Sequence, residues 1–196
     1  TQTITVDVID PLTNGGSVTG TTKKNINIEK ENAEVLVSKK SRPTKTRKIL
    51  FLGSSVCGGL GAATFAESYQ GLLTTALQAQ TEISYIVENK CIGGNDTTEI
   101  IDRFIKSVIP FNPDIVFIGL SSNNEIIAGA STYAQASAIA KEYKRKLGII
   151  ISLCKQYGYD YFVGGEYGNN TYTVQSYNAK KQLNFQLSKW LGNKYF

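Results

Sequence analysis

The chain has 196 residues, 41% of them hydrophobic and 19% charged, with a net charge of +5. That supports one ordinary globular domain with an arm or small second unit, and excludes a wholly disordered chain. No apolar run approaches the roughly 20 residues of a membrane-spanning helix. The sequence contains no histidine, which excludes a histidine base, triad or metal ligand drawn from these residues alone.

Residues 1–46 read as a β-rich arm or the end of a preceding module. Ile4, Val6 and Val8 alternate with polar residues, the period of a half-buried strand. Pro11 to Gly20 is turn-rich, and Ile26, Ile28, Val35 and Val37 predict further short strands. So short an arm cannot bury a core, so it should pack on the main domain or on another copy of the chain. Ser41–Thr44 reads as the linker. Nine Lys/Arg against five Asp/Glu lie in residues 1–48, and twelve against eleven in the rest. The basic run Lys39, Lys40, Arg42, Lys45, Arg47 and Lys48 could attract anions, but reads first as a solvated linker. No aromatic residue lies among these charges, so stacking on nucleic-acid bases is not supported.

Residues 47–196 alternate strand and helix. Ile49–Leu52 is a continuous apolar run stopping at Gly53, as in a buried parallel strand. A helix should start at the serines after Gly53, and Tyr69, Leu72, Leu73 and Leu77 share one helical face. Ile83–Val87 is the second strand. Ile100, Ile101, Phe104, Ile105 and Val108 form a helical stripe closed by Pro110. Asp114–Ile118 is the third strand. A long helix carries Ile139, Tyr143, Leu147, Ile150 and Cys154. Tyr159–Val163 is the fourth strand, and Leu183, Leu187, Trp190 and Leu191 mark a last helix. Repeated βα units imply an α/β fold, a parallel sheet with helices on both faces.

In such sheets, sites form at the carboxyl ends of the strands. The loops there are Gly53–Gly61, Asn89–Thr98, Gly119–Glu125 and Gly164–Thr173, all rich in Gly, Ser and Asn. Gly53-Ser54-Ser55 could place a hydroxyl where helix amides favour developing negative charge. It could also be a plain turn with a helix cap; a phosphate cradle would lack the P-loop lysine. Asp96 or Thr97 could cap the following helix. Asn123 and Asn124 could donate to an oxyanion or serve turn chemistry. Cys57 and Cys91 sit on neighbouring strand-end loops and are expected as free thiols, with a bridge as the alternative.

Together and in this order, these loops resemble the blocks of the SGNH (GDSL-type) hydrolases. The resemblance implies a flavodoxin-like three-layer sandwich over residues 47–196, without a cofactor or metal. Gly53-Ser54-Ser55 matches the first block, with Ser54 at the family's Asp place and Ser55 as nucleophile. Asn89 through Gly94 matches the second, making the Gly94 amide an oxyanion donor. Asn124-Glu125 matches the third, making Asn124 the other donor and Asn123 its rival. Ser54, Asn123 and Tyr167 are the implied substrate contacts. The stretch from Gly165 to Asn170, with Tyr177-Asn178, is similar to a segment of some carbohydrate-active members. The Asp-x-x-His block is missing before Phe196. The resemblance therefore implies an esterase acting on an O-acylated carbohydrate or other small ester, with Asp and His supplied by a C-terminal remainder or partner chain. The alternatives are an inactive interaction module of the same fold, self-associating through the arm, and a flavin binder using the first loop. Of two Asn-x-Thr sequons, Asn95-Asp96-Thr97 would crowd the site if glycosylated.

Overall fold

The computed structural model describes residues 2–9, 21–28, 45–168 and 170–196. Strands β1 (Gln2–Ile9) and β2 (Thr21–Ile28) pair antiparallel, from Gln2↔Ile28 to Ile9↔Thr21. Ile4, Val6 and Val8 fall in the first, and Ile26 and Ile28 in the second, where strands were expected. The turn from Pro11 to Gly20, Val35, Val37, the Ser41–Thr44 linker and Lys39, Lys40 and Arg42 lie outside the described residues. Arg47 and Lys48 belong to a strand rather than to a solvated linker. The Lys48 N–H donates to Asp114 (2.7 Å) and its ammonium to the Phe111 carbonyl (2.8 Å).

The main domain runs β3 (Thr46–Gly53), α1 (Tyr69–Gln78), β4 (Ser84–Cys91), α2 (Thr97–Val108), β5 (Ile115–Gly119), α3 (Tyr133–Gln156), β6 (Asp160–Val163) and α4 (Val174–Leu191). The four strands form a parallel sheet in the order β4-β3-β5-β6. The central strand β3 is the continuous apolar run: Leu50, Phe51 and Leu52 have no exposed surface. Each such side chain stabilises the fold by about 1.5–3 kcal/mol. Leu50, Leu52, Val116 and Ile118 face α2, α3 and α4 through Ile100, Phe104, Tyr143, Leu147 and Leu183. Ile49 and Phe51 face the other way, toward Leu77, Ile115 and Phe117. The outer strand β4 alternates in exposure, as an edge should.

Local sequence explains the helix starts. Asp96 and Glu99 form a reciprocal capping box at α2, and Thr132 and Gln135 do the same at α3. Ser68 caps α1, and Thr173 caps α4 well before Leu183, its first predicted apolar position. One expectation fails. No helix follows Ser55: residues 54–60 are consecutive turns, because Gly59 and Gly61 adopt φ values of +101° and +98° that end any helical path. The Tyr69/Leu72/Leu73 face of α1 is largely exposed, with Leu72 at 60%; the buried positions are Gln70 and Gly71, where the Gly71 backbone packs on Ala66.

Candidate functional site

Three of the four predicted loops meet at the carboxyl ends of β3, β4 and β5. Gly53 pairs with Gly119 across the ladder so closely that a Cβ at residue 53 would lie 2.2 Å from the Gly119 carbonyl oxygen. Only glycine permits that approach. It turns the chain sharply and leaves Ser55 half-buried at the sheet's rim. Gly93 of the second loop packs against it: a methyl at residue 93 would sit 3.7 Å from Ser55 Cβ. Gly94, exposed, holds φ +84°. The Ser55 and Gly94 N–H groups take no part in the backbone bonds of these turns. Asn124 of the third loop donates its side-chain amide to the Asn95 carbonyl at 2.7 Å, beside Gly94. Ser55, Gly94 and Asn124 are thus gathered at one rim of the sheet.

Several residues that the sequence did not single out hold this arrangement. Arg103 of α2 donates to Asn95 Oδ1 (2.8 Å) and to the Gly53 carbonyl (3.3 Å), joining the first two loops from beneath. Burial pulls its guanidinium pKa down, against the carboxylate of Glu99. Glu125 accepts from both the N–H (2.8 Å) and the hydroxyl (2.5 Å) of Thr97, and lies 3.6 Å from Lys146. Cys57 and Cys91 are joined by a disulfide, with Cα atoms 5.8 Å apart. This corrects the expected free pair. Gly53 and Cys91 are ladder partners, which brings the first turn after β3 onto the end of β4.

The Lys180–Glu166 pair lies behind the third loop. The two side chains are 6% and 1% exposed and 3.2 Å apart. Lys180 Nζ also donates to Ser121 Oγ (3.2 Å), Asn123 Oδ1 (2.9 Å), Tyr172 Oη (2.5 Å) and the Tyr167 carbonyl. Glu166 accepts from the Ser122 N–H (3.0 Å), the Ser122 hydroxyl (2.7 Å) and the Ser121 hydroxyl (3.3 Å). Burial draws the Lys180 pKa down, and Glu166 opposes that shift. A Lys and Glu on separate elements carry no sequence signal of pairing: Lys180 sits in an amphipathic helix where lysines are ordinary.

Not every predicted site residue faces the cleft. Ser54 has no exposed surface, and its hydroxyl has no partner among the described residues. It points into the interior, away from the half-buried Ser55. Asn123 accepts through its Oδ1 from Lys180, whereas Asn124 donates its side-chain amide to the Asn95 carbonyl. Tyr167 is half-buried and lines an apolar cavity of about 280 Å³ with Val56, Cys57, Tyr69, Phe117 and Leu120. That cavity lies beside the three gathered residues rather than on them. Burial and the neighbouring Tyr167 push the Tyr69 pKa up to about 12. Tyr177 lies on α4, exposed, and Asn169 falls outside the described residues. Asn95 is held by Arg103 through its Oδ1, and Thr97 of its sequon is fully buried. Among the described residues, no cluster of three or more acidic, Cys or His side chains is placed to hold a metal, and no helix is long and apolar enough to cross a membrane.

No protein-family model matches the chain, and no curated protein matches it. Its fold does match solved structures. TesA superimposes with a TM-score of 0.59 at 17% identity, over 74% of each chain. Axe2, an acetylxylan esterase from Geobacillus stearothermophilus, gives 0.57 at 20% identity, over 76% of this chain and 73% of that one. A lipolytic protein of the G-D-S-L family from Desulfitobacterium hafniense gives 0.57 at 16%, with the same coverage. The main domain has the α/β fold of the SGNH hydrolases, and esterases are among its structural neighbours.

Proposed function

We propose that this chain carries the nucleophile and oxyanion-binding half of an SGNH-type serine esterase. The observation that carries the reading is the gathering of Ser55, the Gly93–Gly94 turn and Asn124 at one sheet rim, with the Ser55 and Gly94 amides uncommitted. The esterase neighbours support the reaction class. Ser55 Oγ attacks the ester carbonyl carbon, and its proton passes to a base. The carbonyl oxygen becomes an oxyanion that accepts hydrogen bonds from the Ser55 N–H, the Gly94 N–H and the second Asn124 Nδ2–H, the first being held by Asn95. The alcohol leaves with the proton, and water reverses the steps on the acyl-serine. The apolar cavity near Val56 suits a short acyl group, and an O-acylated carbohydrate or other small ester is the substrate class.

The sequence has no histidine, so the base and its orienting aspartate come from a segment or partner outside these residues. The free edge of β6 suits such a segment. Tyr195 already bridges Val163 in parallel, and the Phe196 N–H donates to the Val163 carbonyl (3.1 Å). A strand continuing along that edge would end at the same rim as Ser55.

The test is an alkyl fluorophosphonate applied to the full-length protein in its natural assembly, with peptide mapping. The expected result is one adduct, on Ser55, and ester hydrolysis abolished in Ser55→Ala. A well-folded assembly that takes up no probe overturns the esterase reading and favours the interaction module, which the missing histidine also suits.

A further inference from the structure

The third loop is held in a conformation it would not choose alone. Its short 3-10 turn, Ser122–Glu125, has weak internal bonds: the Asn124 N–H reaches the Ser121 carbonyl at 3.4 Å. The turn ends at Ile126, which adopts φ +62° and ψ +26° while 74% exposed. A β-branched residue in the left-handed region is strained, and no burial compensates it. Such a conformation persists only where its surroundings over-determine it. On one side, Glu125 is held by Thr97. On the other, Ser121, Ser122 and Asn123 are all held by one buried ion pair from α4 and the loop after β6. Asn124 stands between the two anchors.

We infer that Lys180 and Glu166 are positioning residues for the oxyanion donor: their ion pair clamps the Ser121–Asn123 backbone and so aims the Asn124 amide. This rests on the esterase reading of the site. Lys180 reaches neither Ser55 nor Gly94, so its effect passes through the turn. The same lysine bonds the Tyr167 carbonyl and Tyr172, which ties the wall of the apolar cavity to the turn that carries Asn124. A buried pair of this kind is weak evidence for stability in itself, because desolvation offsets much of the attraction; specifying one loop geometry is the role that the contacts here support.

The test is a double-mutant cycle in the full-length assembly, with p-nitrophenyl acetate as substrate. The neutral pair Glu166→Gln/Lys180→Met is expected to lower kcat at least tenfold, with KM within threefold. In an Asn124→Ala background the same pair should cost less than twofold more, because the group it aims is gone. Ser122→Ala, which removes one anchor and leaves the ion pair, is the milder version and should lower kcat severalfold with the same dependence on Asn124. Equal losses in both backgrounds, or no loss in either, would overturn the inference. Hydrogen exchange of the 119–126 peptide is read in parallel and needs no activity. Faster exchange there, with the β3 peptide unchanged, supports the clamp; unchanged exchange overturns it. An unmutated assembly that neither turns over nor takes the phosphonate sinks the esterase reading, and the exchange result then decides the clamp alone.

Discussion

Lys180→Met should destabilise the protein by several kcal/mol, and the neutral double substitution by much less. The single substitution leaves the Glu166 carboxylate, 1% exposed, with the Ser121 and Ser122 donors but without the ammonium that lies 3.2 Å away. Breaking a buried pair on one side costs about 3–5 kcal/mol. That corresponds to roughly 6–20 °C in Tm for a chain of this size. Glu166→Gln/Lys180→Met removes both charges and should lie within about 1–2 kcal/mol of the parent. Urea unfolding followed by circular dichroism measures both variants. A loss under about 1 kcal/mol for Lys180→Met, or a double variant as unstable as the single one, would refute the reasoning.

Three further outcomes are expected. With Cys57 and Cys91 bridged and Cys154 buried, its pKa pushed up to about 12 by burial, an Ellman titration should find no thiol in the folded chain and one in non-reducing denaturant; three would reject the bridge. Burial pushes Tyr69, Tyr157 and Tyr195 up to about 12 and raises Tyr143 and Tyr172 further. The stability held in their neutral forms is whole below about pH 10 and lost as pH rises toward 12. Lys180, whose pKa burial lowers, acts in the opposite sense but is one group. The urea midpoint should fall steadily between about pH 10 and 12, and a midpoint unchanged over that range would contradict this. Ile126→Asn should stabilise by about 0.5–1 kcal/mol, since asparagine tolerates the left-handed region and the site is exposed; an unchanged urea midpoint would show that no strain is stored there.

The sheet was legible because parallel strands buried on both faces are near-continuous apolar runs, as Ile49–Leu52 and Ile115–Ile118 are. The helix boundaries were legible where caps are chemical, as at Asp96. The first loop was misread because a Gly-Ser turn looks the same whether a helix or a run of turns follows; Gly59 and Gly61, both present in the sequence, were the available signal. For α1, helical spacing says which residues share a side but not whether anything covers it, and Leu72 stays largely exposed. That Ser55, Gly94 and Asn124 would share one rim was legible because each follows the carboxyl end of a strand. The Cys57–Cys91 bridge could be seen as an approach of two loops but not as a bond. Arg103 and the Lys180–Glu166 pair gave no signal, and Glu125 gave none of its role as an anchor, since each acts through a partner on another element, 28 positions away for Thr97 on Glu125, 44 for Ser122 on Glu166 and 50 for Gly53 on Arg103, and charge alone does not name a partner.

The division of labour within the site follows from these anchors. Oxyanion donors act only if they are aimed before charge develops, because a donor that must reorganise gives back its stabilisation. On the proposed reading, the aiming is done by elements inside the chain: Gly53 against Gly119, the Cys57–Cys91 bridge, Arg103 under Asn95, and the Lys180–Glu166 pair behind Asn123. A base is a different requirement. It must take the Ser55 proton, give it to the leaving alcohol, and then take a proton from water and return it to Ser55, so it can arrive on a separate segment without disturbing the donors. In serine hydrolases the oxyanion hole and binding alone retain roughly 10³–10⁴-fold catalysis over water when triad members are removed. On the proposed reading, these residues therefore hold the half of the machinery that needs rigidity, and the half that needs proton traffic is the one that can be supplied across the open edge of β6.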